Sequence, residues 1–158
     1  MGMQYDVKSK HLGASGVAYG SRTRLKGAVL SANAAAAARN VLFMDNNPQA
    51  GTYSITSTTL TVTVANSLVA GDRVFLDFTS GTAVDGAYTV LTANATTFTV
   101  TTAASGTGNV TLYPTVLMEA DCYNPVAYSI LIPGEGILAE NGIYVGLPAN
   151  LTATTFYG

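Results

Sequence analysis

Residues 52–113 read TYSITSTTLTVTVANSLVAGDRVFLDFTSGTAVDGAYTVLTANATTFTVTTAASGTGNVTLY. In this stretch, short runs rich in Thr, Val, Phe and Tyr alternate with turn clusters of Gly, Asp, Asn and Ser. Such runs, with apolar and polar residues alternating, are typical of half-buried strands. The runs are residues 59–64, 73–78, 87–92, 97–101 and 109–113. Strands and turns at this spacing predict a compact antiparallel β-module.

The sequence on either side is richer in Leu, Ile and Ala, and it predicts further strands. These are residues 22–30 and 40–44 before the module, and 116–121, 128–133, 137–138, 142–146 and 153–157 after it. Because neither flank has enough strands alone, we expect the two ends to join in one antiparallel β-sandwich, jelly-roll-like, of about seven or eight strands. The module is then a small β-barrel or sandwich inserted in the middle. One continuous sandwich of about a dozen strands is the alternative.

We therefore predict an all-β fold with three parts. The parts are an N-terminal arm at residues 1–20, an outer domain at 21–50 and 114–158, and an inserted β-domain at 51–113, with breaks at 48–52 and 113–115. The Gly/Ser-rich arm reads as an extended segment or as a first edge strand. The alanine-rich run Ser31–Arg39 favours a broad loop or a single helical turn, because an isolated helix this short is marginal.

The composition is poor in charge. Hydrophobic residues make up 48% of the chain and charged residues 10%, against about 25% charged in an ordinary soluble domain. Because the net charge is also only −2, the composition favours a surface that meets other protein subunits. The alternative is a β-protein kept soluble by Thr, Ser and Asn.

The charges are unevenly placed along the chain. Residues 1–40 hold six basic residues and one acid, a net charge of +5, whereas residues 41–158 hold one basic residue and eight acids, a net charge of −7. This asymmetry predicts that the N-terminal segment docks on an acidic surface of its own body, of a neighbouring copy or of another protein. Nucleic acid is disfavoured as a partner, because the basic residues are too dispersed for a phosphate track.

A candidate partner interface follows from the basic residues and from tyrosines placed to act as subunit anchors. Its residues are Lys8, Lys10, Arg22, Arg24, Lys26, Tyr123, Tyr144 and Tyr157. Tyrosine is enriched at protein interfaces. For these tyrosines and for Tyr128, packing in the core or at a sheet edge is the alternative.

Residues with catalytic chemistry are few. His11 is the single histidine and falls in the predicted arm, where a general base would not be held in place. Cys122 is the single cysteine, so an intrachain disulfide and a thiolate metal site are excluded. As a nucleophile it would also depend on His11, and we interpret it as a small buried hydrophobe.

Pairs of carboxylates are the remaining candidates. Glu119 with Asp121, and Asp72, Asp77 and Asp85 together, have the residue types of a glycosidase pair or a Ca²⁺ site. No EF-hand spacing, phosphate-binding glycine loop or dinucleotide motif accompanies them, and turn-forming aspartates on solvated strands are the simpler interpretation. We expect no catalytic residue, cofactor or metal. We also expect no secretory signal and no membrane partner.

Several short segments resemble those of known phage proteins. Residues 24–27 (RLKG), 131–138 (LIPGEGIL), 141–145 (NGIYV) and 154–158 (TTFYG) resemble small virion structural proteins of tailed bacteriophages, notably of cyanobacterial and other marine phages. Residues 70–90 (AGDRVFLDFTSGTAVDGAYTV) resemble a β-module that recurs in phage tail and fibre proteins. The resemblance implies a non-enzymatic component of the virion, present in many copies and assembled in the bacterial host cytoplasm.

Within that family we expect a decoration, cement or knob protein on the capsid exterior. Its partners would be phage capsid or tail proteins and further copies of itself, with a trimer as one such homo-oligomer. The alternative is a tail-associated or fibre-attachment subunit that binds host-surface glycan. An enzyme such as a depolymerase is the least favoured hypothesis.

Overall fold

A computed structural model describes residues 7–33, 40–122 and 127–158 of the protein, and within these ranges it contains strands and no helix. The sheets are antiparallel, which confirms the predicted all-β fold class. The strands are β1 (Lys8–Leu12), β2 (Gly16–Tyr19), β3 (Thr23–Ala32), β4 (Asn40–Asp45), β5 (Gln49–Thr56), β6 (Thr59–Thr63), β7 (Arg73–Phe78), β8 (Gly86–Thr89), β9 (Thr92–Ala93), β10 (Thr97–Thr101), β11 (Gly106–Tyr113), β12 (Val116–Asp121), β13 (Tyr128–Leu131), β14 (Ile137–Ala139), β15 (Ile143–Gly146) and β16 (Leu151–Tyr157).

The described residues divide into two compact units. The first unit contains the described residues of Met1–Asn46 and Leu117–Gly158, and the second contains those of Asn47–Val116. The predicted inserted domain began at residue 51 and ended at residue 113, four and three residues inside the second unit. The first unit is therefore built from both ends of the chain, and the second from its middle.

Two sheets form the first unit. One has the strand order β1-β16-β3-β13, with β14 also paired to β3, and the other has the order β12-β4-β15-β2. Side chains from both sheets share one buried cluster, which includes Leu25, Leu30, Phe43, Ile143 and Leu151. Two antiparallel sheets that enclose one core make a β-sandwich.

The alternation of β16 shows why the register of this sheet is well defined. Its buried residues, Leu151, Ala153, Thr155 and Tyr157, alternate with partly exposed ones along the whole strand. A slip of one residue would turn every inward side chain to the surface. Opposite the end of β16, Lys26 is an extra residue in β3, because Phe156 pairs with Gly27 and Tyr157 pairs with Leu25. This β-bulge changes which residues of β3 face inward.

The second unit is one curled sheet of strand order β8-β7-β11-β5-β6-β10-β9. Its two edge strands, β8 and β9, are separated in sequence only by Val90 and Leu91. The sheet must therefore curl until its edges approach each other. The Leu91 amide donates to the Thr99 carbonyl oxygen at 2.8 Å, and the Gly71 amide donates to the Val90 carbonyl oxygen at 2.8 Å. A separate hydrophobic cluster fills the curl, with Leu60, Val62, Leu76, Phe98 and Leu112 among its buried members.

The described part of the predicted N-terminal arm is not a separate arm. β1 pairs along its whole length with β16, from Lys8 opposite Tyr157 to Leu12 opposite Ala153, and β2 pairs with β15. The edge-strand alternative describes β1 correctly, since β1 lies at the end of its sheet. Backbone pairing, which the Gly/Ser-rich composition does not reveal, joins this segment to the first unit.

Three local predictions need correction or limits. The strand predicted at 87–92 is interrupted at Val90–Leu91, where the chain passes from one edge of the curled sheet to the other. The break predicted at 48–52 contains the start of β5 at Gln49. Ser31 and Ala32 end β3 rather than begin a loop, and the rest of the alanine-rich run, residues 34–39, lies outside the described residues.

The turn between β14 and β15 lies directly against the end of β2. Gly142 has a φ of 106°, and a Cβ atom there would lie 2.2 Å from the Tyr19 carbonyl oxygen. The buried Asp45 carboxylate accepts hydrogen bonds from the Asn141 amide at 2.9 Å and from its Nδ2 at 2.6 Å. These contacts fix the turn that carries Glu140 and the backbone that carries Tyr19.

Candidate functional site

A cleft of about 360 Å³ opens in the first unit among β1, β2, β3, β14 and β16. We call it the basic cleft, because three cationic side chains line it together with two aromatic rings and one aliphatic side chain. These are Lys8, Arg22 and Arg24, then Tyr19 and Tyr157, then Leu138. Its residues come from distant parts of the chain, and strand pairing brings them together.

The aromatic wall of the basic cleft is a stacked pair. The rings of Tyr19 and Tyr157 have centroids 4.9 Å apart and planes 27° apart. Tyr157 is on the inward face of β16 and only 8% exposed. A packed ring pair with few rotatable bonds gives the cleft a rigid, mainly apolar side.

The cations of the basic cleft differ in how they are paired. Arg22 Nε lies 2.8 Å from Glu140 Oε2, with both side chains more than half exposed. Arg24 Nη1 donates to the Gly136 carbonyl oxygen at 3.3 Å, and its Nε lies 4.0 Å from Glu135. Lys8 is exposed, and no other described residue forms an ion pair or hydrogen bond with its ammonium group. Three cations therefore stand against two carboxylates, which leaves a formal surplus of one positive charge at the basic cleft.

The basic cleft brings together four of the predicted interface residues: Lys8, Arg22, Arg24 and Tyr157. Lys10 lies exposed on β1 and does not line it. Lys26 is buried, and its Nζ donates to the Glu135 carbonyl oxygen at 2.9 Å. Tyr144 lies in β15, and Tyr123 lies outside the described residues.

Two of the predicted contacts take a different form in the structure. Tyr144 and Tyr157 are each 8% exposed, so neither is an exposed anchor on this chain, and the packing alternative describes both. Tyr157 belongs to the inward-facing residues of β16, and β15 is buried at every residue, so neither side chain is open to solvent. For the basic segment, Arg22 and Arg24 approach glutamates of the same unit, which is the own-body alternative for the charge asymmetry.

A second concavity, of about 550 Å³, lies on the outward face of the sheet that contains β3 and β13. Four of its apolar residues, together with Gly27 between them, are called the outer apolar face: Val7, Val29, Leu131 and Phe156. Strand pairing places Phe156, Gly27 and Leu131 in one row across three strands. Leu131 is 84% exposed. An exposed apolar cluster on an ordered sheet is typical of an interaction surface.

The nucleophile and base candidates hold structural positions. His11 Nδ1 lies 3.0 Å from Thr154 Oγ1, on the pairing of β1 with β16. Cys122 is buried, and burial raises the pKa of its thiol, which makes the thiolate scarcer. We therefore interpret Cys122 as a core residue, as predicted.

The acidic candidates are engaged in turns and strand contacts. The Asp72 carboxylate accepts a hydrogen bond from the Val69 amide at 2.9 Å, and Asp85 accepts one from the Phe78 amide at 2.7 Å. Glu119 Oε1 accepts one from Asn40 Nδ2 at 2.8 Å. In the described ranges no three His, Cys, Asp or Glu side chains are grouped as metal ligands. Turn formation and local pairing therefore describe these acids best.

Asp77 is an acid whose ionised form is disfavoured by its surroundings. Partial burial, followed by the nearby Asp85 charge, raises the pKa of the Asp77 carboxyl above its ordinary value. A folded-state pKa above the unfolded one means that ionisation costs stability as pH rises through the folded value. At low pH, where both states are protonated, this cost is absent.

Asp77→Asn is therefore expected to raise the midpoint of thermal unfolding at about pH 7, and the gain should vanish near about pH 2.5. Thermal melts at the two pH values measure this. Asp72→Asn is the matched control, which should give no gain because the Asp72 carboxylate already accepts an amide hydrogen bond. A lower midpoint for Asp77→Asn at neutral pH would contradict the prediction.

The comparisons with known proteins add no relative. Searches of protein-family models, curated proteins and solved structures found no match to this chain. Across the described ranges, no helix has the length and apolar character needed to cross a membrane.

Prediction from sequence missed part of the basic cleft and all of the outer apolar face. Tyr19 and Leu138 line the basic cleft, but their places depend on strand registers that the sequence does not reveal. The outer apolar face was not predicted, although the sequence holds a signal for it: β16 alternates strictly and Phe156 falls on its outward side. Leu131 carries the same signal, since it follows the partly buried Ile130 in β13.

Proposed function

We propose that this chain is a non-enzymatic structural subunit of a tailed-bacteriophage particle, and specifically a decoration, cement or knob protein on the capsid exterior. The observation that carries the proposal is the outer apolar face, with Leu131 84% exposed, in a chain of which only 10% of residues are charged. The resemblance of residues 131–138 and 154–158 to phage virion proteins supports the choice of particle. These segments contribute Leu131 and Phe156 to that same face.

The outer apolar face is suited to attachment to the shell. It lies on strands whose backbones are fixed by pairing, between the edge strand β13 and the central strand β16, so docking would require little ordering of the chain. A specific interface buries about 800 Å² on each partner, and repeated copies on a symmetric particle add avidity. The protein would therefore attach by burying the outer apolar face against the shell.

The chemistry of the described residues supports a structural role. His11 and Cys122 pack against neighbouring strands or in the core, and the aspartates at 72 and 85 accept backbone hydrogen bonds. A catalytic base or nucleophile needs a partner within hydrogen-bond reach and access to substrate. Each of these groups has a structural role that is sufficient to explain its position.

Gold-antibody labelling of intact particles, viewed by electron microscopy, tests the proposal directly. Label spread over the head is the expected result, and faster heat release of DNA from particles lacking the protein would then identify cementing. Label confined to the tail would overturn the capsid assignment in favour of the tail-associated alternative. Signal only after disruption of the particles would make the protein internal and would also overturn it.

Leu131→Lys tests whether the outer apolar face carries the attachment. We expect this variant to bind particles assembled without the protein at least about tenfold more weakly, because a charge in a desolvated interface costs more than about 1.4 kcal/mol. Co-sedimentation with those particles measures the change. Val84→Lys, at a site 70% exposed in the second unit, is the control and should bind as the parent does.

Folding must be separated from attachment in that experiment. Both substitutions are at exposed positions, where changes in the free energy of unfolding stay within about 0.5 kcal/mol. Thermal melts of the two variants should therefore match the parent. Equal binding by Leu131→Lys and the parent would show that another surface makes the contact.

A further inference from the structure

The basic cleft has features that attachment through the outer apolar face does not use. We propose that it binds a small organic anion of one class: a sugar ring that carries a carboxylate, such as a uronic acid. This site lies on other residues than the proposed docking face and does not depend on the proposed function. The argument rests on the charges, the aromatic wall and the volume of the cleft.

The charges select a carboxylate. Arg22 and Arg24 present planar guanidinium groups, which pair with carboxylates through two parallel hydrogen bonds. The ion pair of Arg22 with Glu140 is exposed to solvent on both sides, so a ligand carboxylate can replace or share it at small cost. Lys8 adds a cation that forms no ion pair with another described residue.

The walls select a ring. Tyr19 and Tyr157 form a rigid stacked pair, and Leu138 adds an aliphatic contact on the lining. Ligand sites combine such apolar walls with a few convergent polar groups, and they begin at about 300 Å³. The volume of about 360 Å³ therefore fits a ligand of one or two rings. A bare phosphate would use the cations and leave the apolar wall without a partner.

Titration of the isotope-labelled chain with glucuronate, followed by amide shifts in NMR spectra, tests this inference. A ligand of this size reaches a Kd of about 1 mM, and we expect shifts at amides near Lys8, Tyr19 and Arg24. Glucose, which has the same ring without the carboxylate, should bind at least about tenfold more weakly. Added salt should weaken glucuronate binding, because the cations at the rim are exposed.

Lys8→Gln and Lys10→Gln form a matched pair for the same titration. The two lysines are on one exposed strand and change charge equally, but only Lys8 lines the cleft. We expect Lys8→Gln to weaken glucuronate binding about tenfold and Lys10→Gln to leave it unchanged. Arg22→Gln, also at an exposed position, should weaken binding too.

Three results would overturn the inference. They are the absence of shifts at about 20 mM glucuronate, equal binding of glucose, and equal effects of Lys8→Gln and Lys10→Gln. Poly-L-glutamate is titrated in parallel as the probe for an acidic peptide. If it shifts the cleft amides and glucuronate does not, the cleft is a protein-docking site and the sugar assignment is wrong.

Discussion

We expect Gly142→Ala to lower the free energy of unfolding of the first unit by about 4 kcal/mol. Two costs combine at this residue. Its backbone φ of 106° is one that residues with a side chain rarely adopt. The new Cβ atom would also lie 2.2 Å from the Tyr19 carbonyl oxygen and 2.9 Å from the Ser21 amide nitrogen. Both neighbours are backbone atoms, so relief requires β2 to move away from the turn.

Urea denaturation gives the size of the Gly142→Ala effect, and hydrogen exchange gives its location. Amides of β2 and β15 should lose protection, because their pairing is next to the displaced backbone. Gly134→Ala is the control: it has a φ of 67°, and no atom lies within 4 Å of the added Cβ. It should cost only about 1 kcal/mol. Similar costs for the two variants would show that the contact with Tyr19 is not the cause.

The parts of the fold that follow from local alternation could be predicted from sequence. In residues 97–101, Phe98 and Val100 are buried, and the three threonines that alternate with them are partly or fully exposed, as a period of two residues requires. The same rule placed β16 and β7 within a few residues of their observed bounds. Strands β10 and β16 each bury one face, so their pattern alone specifies their orientation. Strand β7 buries Val74, Phe75 and Leu76 in succession, and its pattern does not specify its orientation.

The features that position the candidate site depend on longer-range geometry. Lys8 and Tyr157 are opposite each other only through the register of β1 on β16. Arg24 joins them from β3, which pairs with the other edge of β16. Lys26 is buried at the β-bulge, although lysine side chains are usually exposed to solvent. Its ammonium is satisfied by the Glu135 carbonyl oxygen, in a loop more than a hundred residues away in sequence. No local pattern encodes such a contact.

Phe98→Ala is expected to cost about 4 kcal/mol in the second unit, within the usual range for a buried phenylalanine. Phe98 is 1% exposed and is one of the largest fully buried side chains of the described chain. It pairs with Val62 on one side and with Ala93 on the other, in the core of the curled sheet. Loss of the ring removes both its burial and its packing, and the paired strands cannot collapse fully into the space.

Phe98→Leu separates cavity formation from the mere loss of the aromatic ring. It keeps most of the buried volume and should cost no more than about 1.5 kcal/mol. Hydrogen exchange of the Leu91 amide reports on closure of the sheet, since that amide donates to Thr99 next to Phe98. We expect Phe98→Ala to reduce its protection far more than Phe98→Leu does. Unchanged protection in Phe98→Ala would mean that the two-residue link at Val90–Leu91 holds the edges together without help from the core.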